Sequence, residues 1–85
     1  MDIKAEFEEA VKQSRLLPAQ SNENLLKLYG LFKQATEGDV NVEKPTNFFD
    51  LAGIAKYNTW SDLKGMSMDE AKQKYIAVVK DLSGK

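Results

Sequence analysis

The sequence contains no cysteine and no histidine among its 85 residues, and these absences exclude several classes of protein. Without cysteine the chain has neither a disulfide framework nor thiolate ligands for a metal ion, so we expect a reducing compartment, the cytoplasm. It also lacks the strongest nucleophile and the commonest general base of enzymes. Carboxylates alone support glycoside hydrolysis, but only when two acids face each other across a deep cleft. We therefore predict a binding protein with no catalytic residue, no metal site and no cofactor.

The chain also lacks long apolar runs and a strong excess of either charge. No segment approaches the roughly 20 apolar residues of a membrane span, and the N-terminal stretch MDIKAEFEEAVK is too acidic for a signal peptide. The formal net charge of −1 argues against nucleic acid as a partner, because duplex binding usually requires a basic domain. A local cluster of lysines is compatible with this balance and suits a ligand that carries a few phosphates.

The spacing of apolar residues predicts four helices and one long loop in a single all-α domain, residues 1–85. The predicted helices are Asp2–Arg15, a second from the N-cap Ser21 to Gly38, Phe48–Trp60, and a fourth that opens at Ser67. Pro18 disfavours helix at the residue before it, and Ser67 begins the capping box Ser-Met-Asp-Glu. Residues 39–47 form the loop, which is long for a small helical bundle.

The second helix carries an unusual turn at its centre. Its predicted inward stripe is Leu25, Leu28, Phe32 and Ala35. At 100° per residue, Tyr29 lies at the margin of that stripe, with Lys33 and Gly30 beyond it on the solvent side. Glycine costs roughly 1 kcal/mol inside a helix, so we interpret Gly30 as open backbone that a ligand approaches closely. A phenol, an ammonium and open backbone at the border of the core suit a flat, anionic, partly apolar ligand.

The same residues also have a structural interpretation. Aromatic residues at helical spacing more often belong to the core, and Tyr75 falls on the inward stripe of the fourth helix. Spacing alone leaves open whether Lys56 and Tyr75 lie near the second helix. A helical docking module that binds a partner peptide in the same groove is a second hypothesis. No helix pairs a broad apolar face with a basic one, which argues against binding to a membrane surface.

Longer strings carry more information than periodicity. The strings LYGLFKQATEGDVN, KP and AKYNTWSDLKGMSMDEAKQKYI, with AEFEEAV near the N-terminus, resemble the acyl-CoA-binding protein family (also called the diazepam-binding inhibitor family) over nearly the whole chain. The resemblance implies an up-down-down-up four-helix bundle with a long crossover between helices two and three. It implies a cytoplasmic monomer, without stable membrane insertion, that binds medium- and long-chain fatty acyl-CoA thioesters. Such a protein carries and pools these thioesters for lipid metabolism.

The resemblance also implies which residues contact the ligand. Lys33, Lys56 and Tyr29 would grip the 3′-phosphate of the ribose, while Phe32 and Tyr75 would flank the adenine. The full set of expected ligand-binding residues is Arg15, Tyr29, Gly30, Leu31, Phe32, Lys33, Lys56 and Tyr75.

The sequence departs from the family pattern at several points. Phe32 stands where the family usually has a second tyrosine, so we expect weaker discrimination of the head group with apolar contact kept. Tyr57 replaces a usual tryptophan. The loop after Arg15 is one residue shorter than is common, and PTNFFDLAG is one residue longer. If the longer segment tilts the third helix, Lys56 is the ligand contact that it displaces.

Overall fold

The computed structural model describes residues 2–83, which form the helices α1 (Ile3–Ser14), α2 (Asn22–Glu37), α3 (Leu51–Ser61) and α4 (Met68–Ser83). Met1, Gly84 and Lys85, which the predicted domain also included, lie outside the described residues. The predicted all-α, four-helix, up-down-down-up fold is confirmed. In it α2 packs against both α3 and α4, and α4 packs against α1. The two central helices are therefore α2 and α4.

The four helices form a slab rather than a round bundle. The described residues span 40 × 28 × 15 Å, and the thinnest dimension is close to the roughly 10–12 Å diameter of one helix. In a slab this thin, the grooves between neighbouring helices open directly to the surface.

Three of the predicted helix ends are confirmed by their capping contacts. Ser21 caps α2, because its Oγ accepts a hydrogen bond from the backbone N–H of Asn24 at 3.1 Å. Gly38 ends the same helix with a φ of 81°, a conformation that favours glycine. Ser67 Oγ accepts from the backbone N–H of Glu70 at 3.0 Å, which opens α4. Local capping chemistry therefore sets these boundaries.

The predicted start of α3 at Phe48 is wrong, because the helix begins at Leu51. The true N-cap is Asp50, whose carboxylate accepts from the backbone N–H of Gly53 at 3.0 Å. Just before it, the backbone N–H of Asp50 donates to the carbonyl oxygen of Asn47 at 3.0 Å. This closes a turn that holds Phe48 outside the helix, so the connection between α2 and α3 is longer than predicted.

The predicted inward stripe of α2 is wrong in part. Leu28 and Ala35 are buried, but the side chains of Leu25 and Phe32 are 51% and 36% exposed. Leu31 and Gln34 are buried instead. The reason is that α2 packs between α3 and α4, so it buries two faces, which a single stripe does not describe. The core contains Phe7, Ala10, Leu28, Leu31, Ala35, Ala71, Tyr75 and Val79.

A polar network fastens the C-terminal end of α2 to the connection between α3 and α4. The fully buried Gln34 donates from Nε2 to the Asp39 carboxylate at 2.9 Å and to the Met66 carbonyl oxygen at 2.8 Å. The backbone N–H of Gly65 donates to the same carboxylate oxygen at 2.8 Å. That bond, followed by the one from Gln34, holds the pKa of the Asp39 carboxyl below its ordinary value.

Candidate functional site

The helices α2 and α3 run parallel and touch closely at Gly30. Tyr29 faces Lys56 and Lys33 faces Trp60, so residue numbers rise together along the two helices. A Cβ atom on Gly30 would lie 2.7 Å from Thr59 Cγ2 and 3.3 Å from the Thr59 carbonyl oxygen. The missing side chain therefore gives room to the neighbouring helix.

The expectation that Gly30 presents open backbone to solvent is wrong, because the residue is buried against α3. Helical periodicity correctly places Gly30 relative to Tyr29 on α2, but it does not show that α3 packs over Gly30. Gly30 lies in one of the two buried faces of α2. The energetic cost of glycine in this helix is offset by helix packing.

Tyr29 and Lys56 form the first pair of the site. The Nζ atom of Lys56 lies 5.4 Å from the centroid of the Tyr29 ring, which is a cation–π distance. Lys56 is exposed and Tyr29 is half-buried, so the ammonium lies at the surface and the ring beneath it. In residues 2–83 the ammonium of Lys56 takes part in no ion pair. Despite the longer loop before α3, this lysine reaches α2 and is placed to attract an anion.

Lys33 and Trp60 form a second pair one turn further along. The Nζ atom of Lys33 lies 5.0 Å from the centroid of the buried Trp60 ring, and it also pairs with the carboxylate of Glu37. The hydrogen bond from Lys33 holds the pKa of the Glu37 carboxyl below its ordinary value. An anionic ligand at Lys33 must therefore compete with an internal carboxylate. Glu37 was missed in the sequence, although its i, i+4 spacing from Lys33 was a usable signal.

Phe32 faces the other way and joins an aromatic cluster with α1 and α4. Its ring centroid lies 6.0 Å from that of Phe7 and 6.3 Å from that of Tyr75. The Tyr75 ring is buried, and its hydroxyl donates to Ser14 Oγ at 3.0 Å. The structure thus brings Phe32 and Tyr75 together. Phe32 stays partly exposed, whereas the hydroxyl of Tyr75 is bonded to Ser14, a long-range partner that no sequence signal identified.

An apolar groove of about 410 Å³ continues from Tyr29 and Lys56 along the surface between α2 and α3. Its remaining walls are aliphatic apart from one amide: Asn22, Leu25, Leu26, Leu51, Ala52 and Ala55. The side chains of Leu25 and Leu51 are 51% and 73% exposed, so the groove keeps apolar surface in water. At one end this apolar surface meets the phenol of Tyr29 and the ammonium of Lys56.

Two other grooves are less suitable for an anionic amphiphile. One of about 490 Å³ lies between α1 and α4, and the carboxylates of Glu6 and Glu9 line it with a single cation, Lys80. Another of about 440 Å³ includes Lys27 and Lys74 over an aliphatic floor. No aromatic residue lines either groove, so neither offers a ring on which a nucleobase stacks.

The remaining expected site residues lie apart from the groove between α2 and α3. Leu31 is buried in the core and also lines the third groove, on another face of α2. Arg15 is exposed at the C-cap of α1. In the part of the chain that the structure describes, neither residue contacts the pairs at Tyr29 and Lys33 through a hydrogen bond or ion pair.

Comparisons with known proteins point to one family. The sequence model of a family described as "Acyl CoA binding protein" matches residues 4–79. The chain is 44% identical over 80 residues to acyl-CoA-binding protein homolog 1 of Caenorhabditis elegans, covering 93% of the chain and 92% of the relative. It is 46% identical over 80 residues to acyl-CoA-binding protein 2 of Saccharomyces pastorianus, covering 93% and 91%. The crystal structure of Oryza sativa acyl-CoA-binding protein 2 superimposes with a TM-score of 0.91 at 41% identity, over 96% of this chain and 91% of that one.

Proposed function

Since the chain belongs to the acyl-CoA-binding protein family, we propose that it binds the coenzyme A thioesters of medium- and long-chain fatty acids. The observation that carries the proposal is the groove between α2 and α3, which is aliphatic along its length and ends at Tyr29 and Lys56. This order of surfaces matches an acyl chain that is joined to an anionic nucleotide. A volume of about 410 Å³ lies within the usual range for ligand sites.

In this proposal the exposed face of the central turn of α2 binds the nucleotide. Lys33, Lys56 and the phenol of Tyr29 hold the 3′-phosphate, and Phe32 packs on the adenine with Tyr75 beneath it. The buried Gly30 and Leu31 support this turn from below, and Arg15 adds a cation at the end of α1. The ligand presents roughly four negative charges, because a phosphomonoester carries about −1.5 to −2 and the diphosphate adds the rest.

The acyl chain supplies most of the affinity. Burial of about ten methylenes at about 0.8 kcal/mol each gives a gross contribution near 8 kcal/mol, before the cost of ordering the ligand. Exposed lysine pairs contribute only about 0–1 kcal/mol each, and charge-assisted hydrogen bonds about 1.5–3 kcal/mol. The head group therefore selects the thioester over the free fatty acid, while the chain sets how tightly it is held.

We further propose that the protein acts as a cytoplasmic, monomeric carrier and pool former rather than as an enzyme. A surface groove covers one side of the hydrocarbon and lets the thioester leave without a large rearrangement of the fold. Within residues 2–83, none of the helices combines the length and the apolarity needed to cross a bilayer. The side chains around the groove include no serine or cysteine nucleophile for hydrolysis of the thioester.

Calorimetric titration with four ligands tests the proposal: palmitoyl-CoA, octanoyl-CoA, free coenzyme A and palmitate. We expect affinity to fall in the order palmitoyl-CoA, octanoyl-CoA, coenzyme A, with palmitate also far below palmitoyl-CoA. Palmitate that binds as tightly as its thioester would rule out head-group recognition. An amphipathic peptide that binds and is not displaced by palmitoyl-CoA would support the docking-module hypothesis instead.

A further inference from the structure

Two phenylalanines project from the surface immediately before α3. Phe48 and Phe49 are 84% and 91% exposed, the highest values among the large apolar side chains of residues 2–83. They occupy the two central positions of the turn that the hydrogen bond from Asp50 to Asn47 closes. The Asn47 side-chain oxygen also accepts from the backbone N–H of Phe49 at 2.9 Å. An ordered turn therefore presents both rings to solvent.

Phenylalanine is an unusual choice for these two positions. Turns favour Gly, Asn, Asp, Ser and Pro, and each exposed ring forgoes the free energy of burial. Within residues 2–83 neither ring belongs to the core or to the aromatic cluster, so the fold does not bury them. We infer that the rings are buried in an encounter with something outside this chain.

The turn is continuous with the proposed ligand groove. Phe49 is two residues from Leu51, which lines the groove together with Leu25 and is 73% exposed. Tyr29 and Lys56 lie four and five residues further along α2 and α3 than these two leucines. The phenylalanines thus extend the apolar end of the groove, away from the nucleotide end.

The absence of a membrane-binding helix argued against a membrane surface, but this turn is a different element, and its size and charge favour a lipid bilayer over a protein partner. Two aromatic side chains offer at most about 500 Å², whereas a specific protein interface buries about 800 Å² on each side. A fluid bilayer needs no complementary surface, and apolar groups insert into its boundary to a depth of roughly 5–10 Å. Residues 43–56 carry two lysines and two carboxylates, so this segment has no net charge. Its docking would therefore depend on the apolar rings and not on attraction to anionic lipid.

We propose that the turn of Phe48 and Phe49 docks the protein transiently on the surface of a lipid bilayer, so that the groove takes its acyl chain directly from the membrane. The uptake of an acyl chain from the membrane rests on the proposed function, but the docking itself does not need the ligand. Long acyl chains partition into bilayers because every buried methylene is favourable. Docking at the apolar end of the groove shortens the path of such a chain through water.

The test compares the wild type with Phe48→Ser/Phe49→Ser and with Leu16→Ser. Leu16 is a matched control, because it is 78% exposed in the connection after α1. The protein without ligand is sedimented with phosphatidylcholine vesicles, and transfer of a fluorescent long-chain acyl-CoA from vesicles is followed by stopped flow. Affinity for octanoyl-CoA, a soluble ligand, is measured by calorimetry.

We expect the double variant to lose about tenfold or more in vesicle partitioning. Its transfer rate should no longer rise with vesicle concentration, and its octanoyl-CoA affinity should match the wild type. Leu16→Ser should behave as the wild type in all three measurements.

A wild type that does not sediment with vesicles would overturn the proposal, as would an equal loss in Leu16→Ser. A large fall in octanoyl-CoA affinity would assign the turn to the ligand site instead. Sedimentation without any octanoyl-CoA binding would retain the docking surface and reject the proposed function.

Discussion

Gly30 packs where two helices meet, although its position beside Tyr29 and Lys33 in the sequence favoured a role at the ligand. The residue types around Gly30 indicated an unusual turn, but they did not indicate which residue packs against it. Thr59 lies 29 positions away, and nothing local in either segment indicates that the two approach each other. Sequence patterns locate the turn, whereas only the packing of α3 explains the glycine.

We expect Gly30→Ala to lower the free energy of unfolding by about 1–3 kcal/mol. Helix propensity alone would raise it by about 1 kcal/mol, but the new methyl group meets Thr59 Cγ2 at 2.7 Å and the rigid backbone oxygen at 3.3 Å. Urea unfolding followed by circular dichroism measures the change.

The matched background for this substitution is Thr59→Ser, which removes Cγ2 and keeps the hydroxyl that donates to the Ala55 carbonyl oxygen. In that background Gly30→Ala should cost less. Greater stability of Gly30→Ala than of the wild type, in the presence of Thr59, would contradict the packing role.

Lys33 is held between an internal carboxylate and an aromatic ring, so its substitution and that of Glu37 should act in opposite directions. We expect Lys33→Ala to weaken octanoyl-CoA binding about tenfold or more and to reduce its salt dependence. Glu37→Gln should strengthen binding up to about fivefold, because it removes an exposed competing pair. Calorimetry at two salt concentrations measures both effects.

Lys27→Ala is the control for these variants, since Lys27 lies on α2 beside a different groove. It should leave both the affinity and the salt dependence unchanged. A weaker affinity in Glu37→Gln would show that the ion pair positions Lys33 for the ligand rather than competing with it.

At the scale of helices and loops, local chemistry predicted most of the boundaries. Ser21, Gly38 and Ser67 mark helix ends because a side-chain oxygen or a permissive backbone satisfies the terminal groups there. The start of α3 was missed because the apolar pair Phe48 and Phe49 reads as part of a helical period. Asp50, which follows the pair, is a good N-cap residue and was the signal to use.

The apolar stripe of α2 was harder to predict from the sequence than the ends of the helix. A helix that packs on one neighbour shows one apolar face, but α2 packs on α3 and α4 together. Its sequence therefore mixes two faces, and the buried Gln34 interrupts one of them with a polar group. Only the arrangement of the neighbouring helices resolves such a pattern.

The network at the end of α2 makes stability depend on pH. Because hydrogen bonds lower the pKa of the folded Asp39 carboxyl, its stabilisation is present above the ordinary pKa and is lost as the pH falls through the folded value. Glu37 acts in the same direction. We expect the Tm of the wild type to fall on acidification below about pH 4, and that of Asp39→Asn to fall less.

Thermal unfolding at neutral pH and at a series of acid pH values measures this difference. Asp81→Asn, on the exposed surface of α4, is the control and should follow the wild-type curve. Identical acid profiles for Asp39→Asn and the wild type would mean that the network does not contribute to acid sensitivity.

At the scale of the whole molecule, the grooves described above on residues 2–83 differ in charge and in aromatic content. The family resemblance predicted which residues form the site, and the fold it implied is confirmed. The distribution of these residues was not predictable. Tyr29 and Lys56 lie at the groove between α2 and α3, Phe32 lies at the aromatic cluster, and the α2 turn joins the two places.

The most direct test of the central claim is a crystal structure of the protein with palmitoyl-CoA. We expect the 3′-phosphate within hydrogen-bonding distance of Tyr29, Lys33 and Lys56, the adenine against Phe32, and the acyl chain along Leu25 and Leu51. A ligand seated in the groove between α1 and α4, or an adenosine far from the central turn of α2, would contradict it.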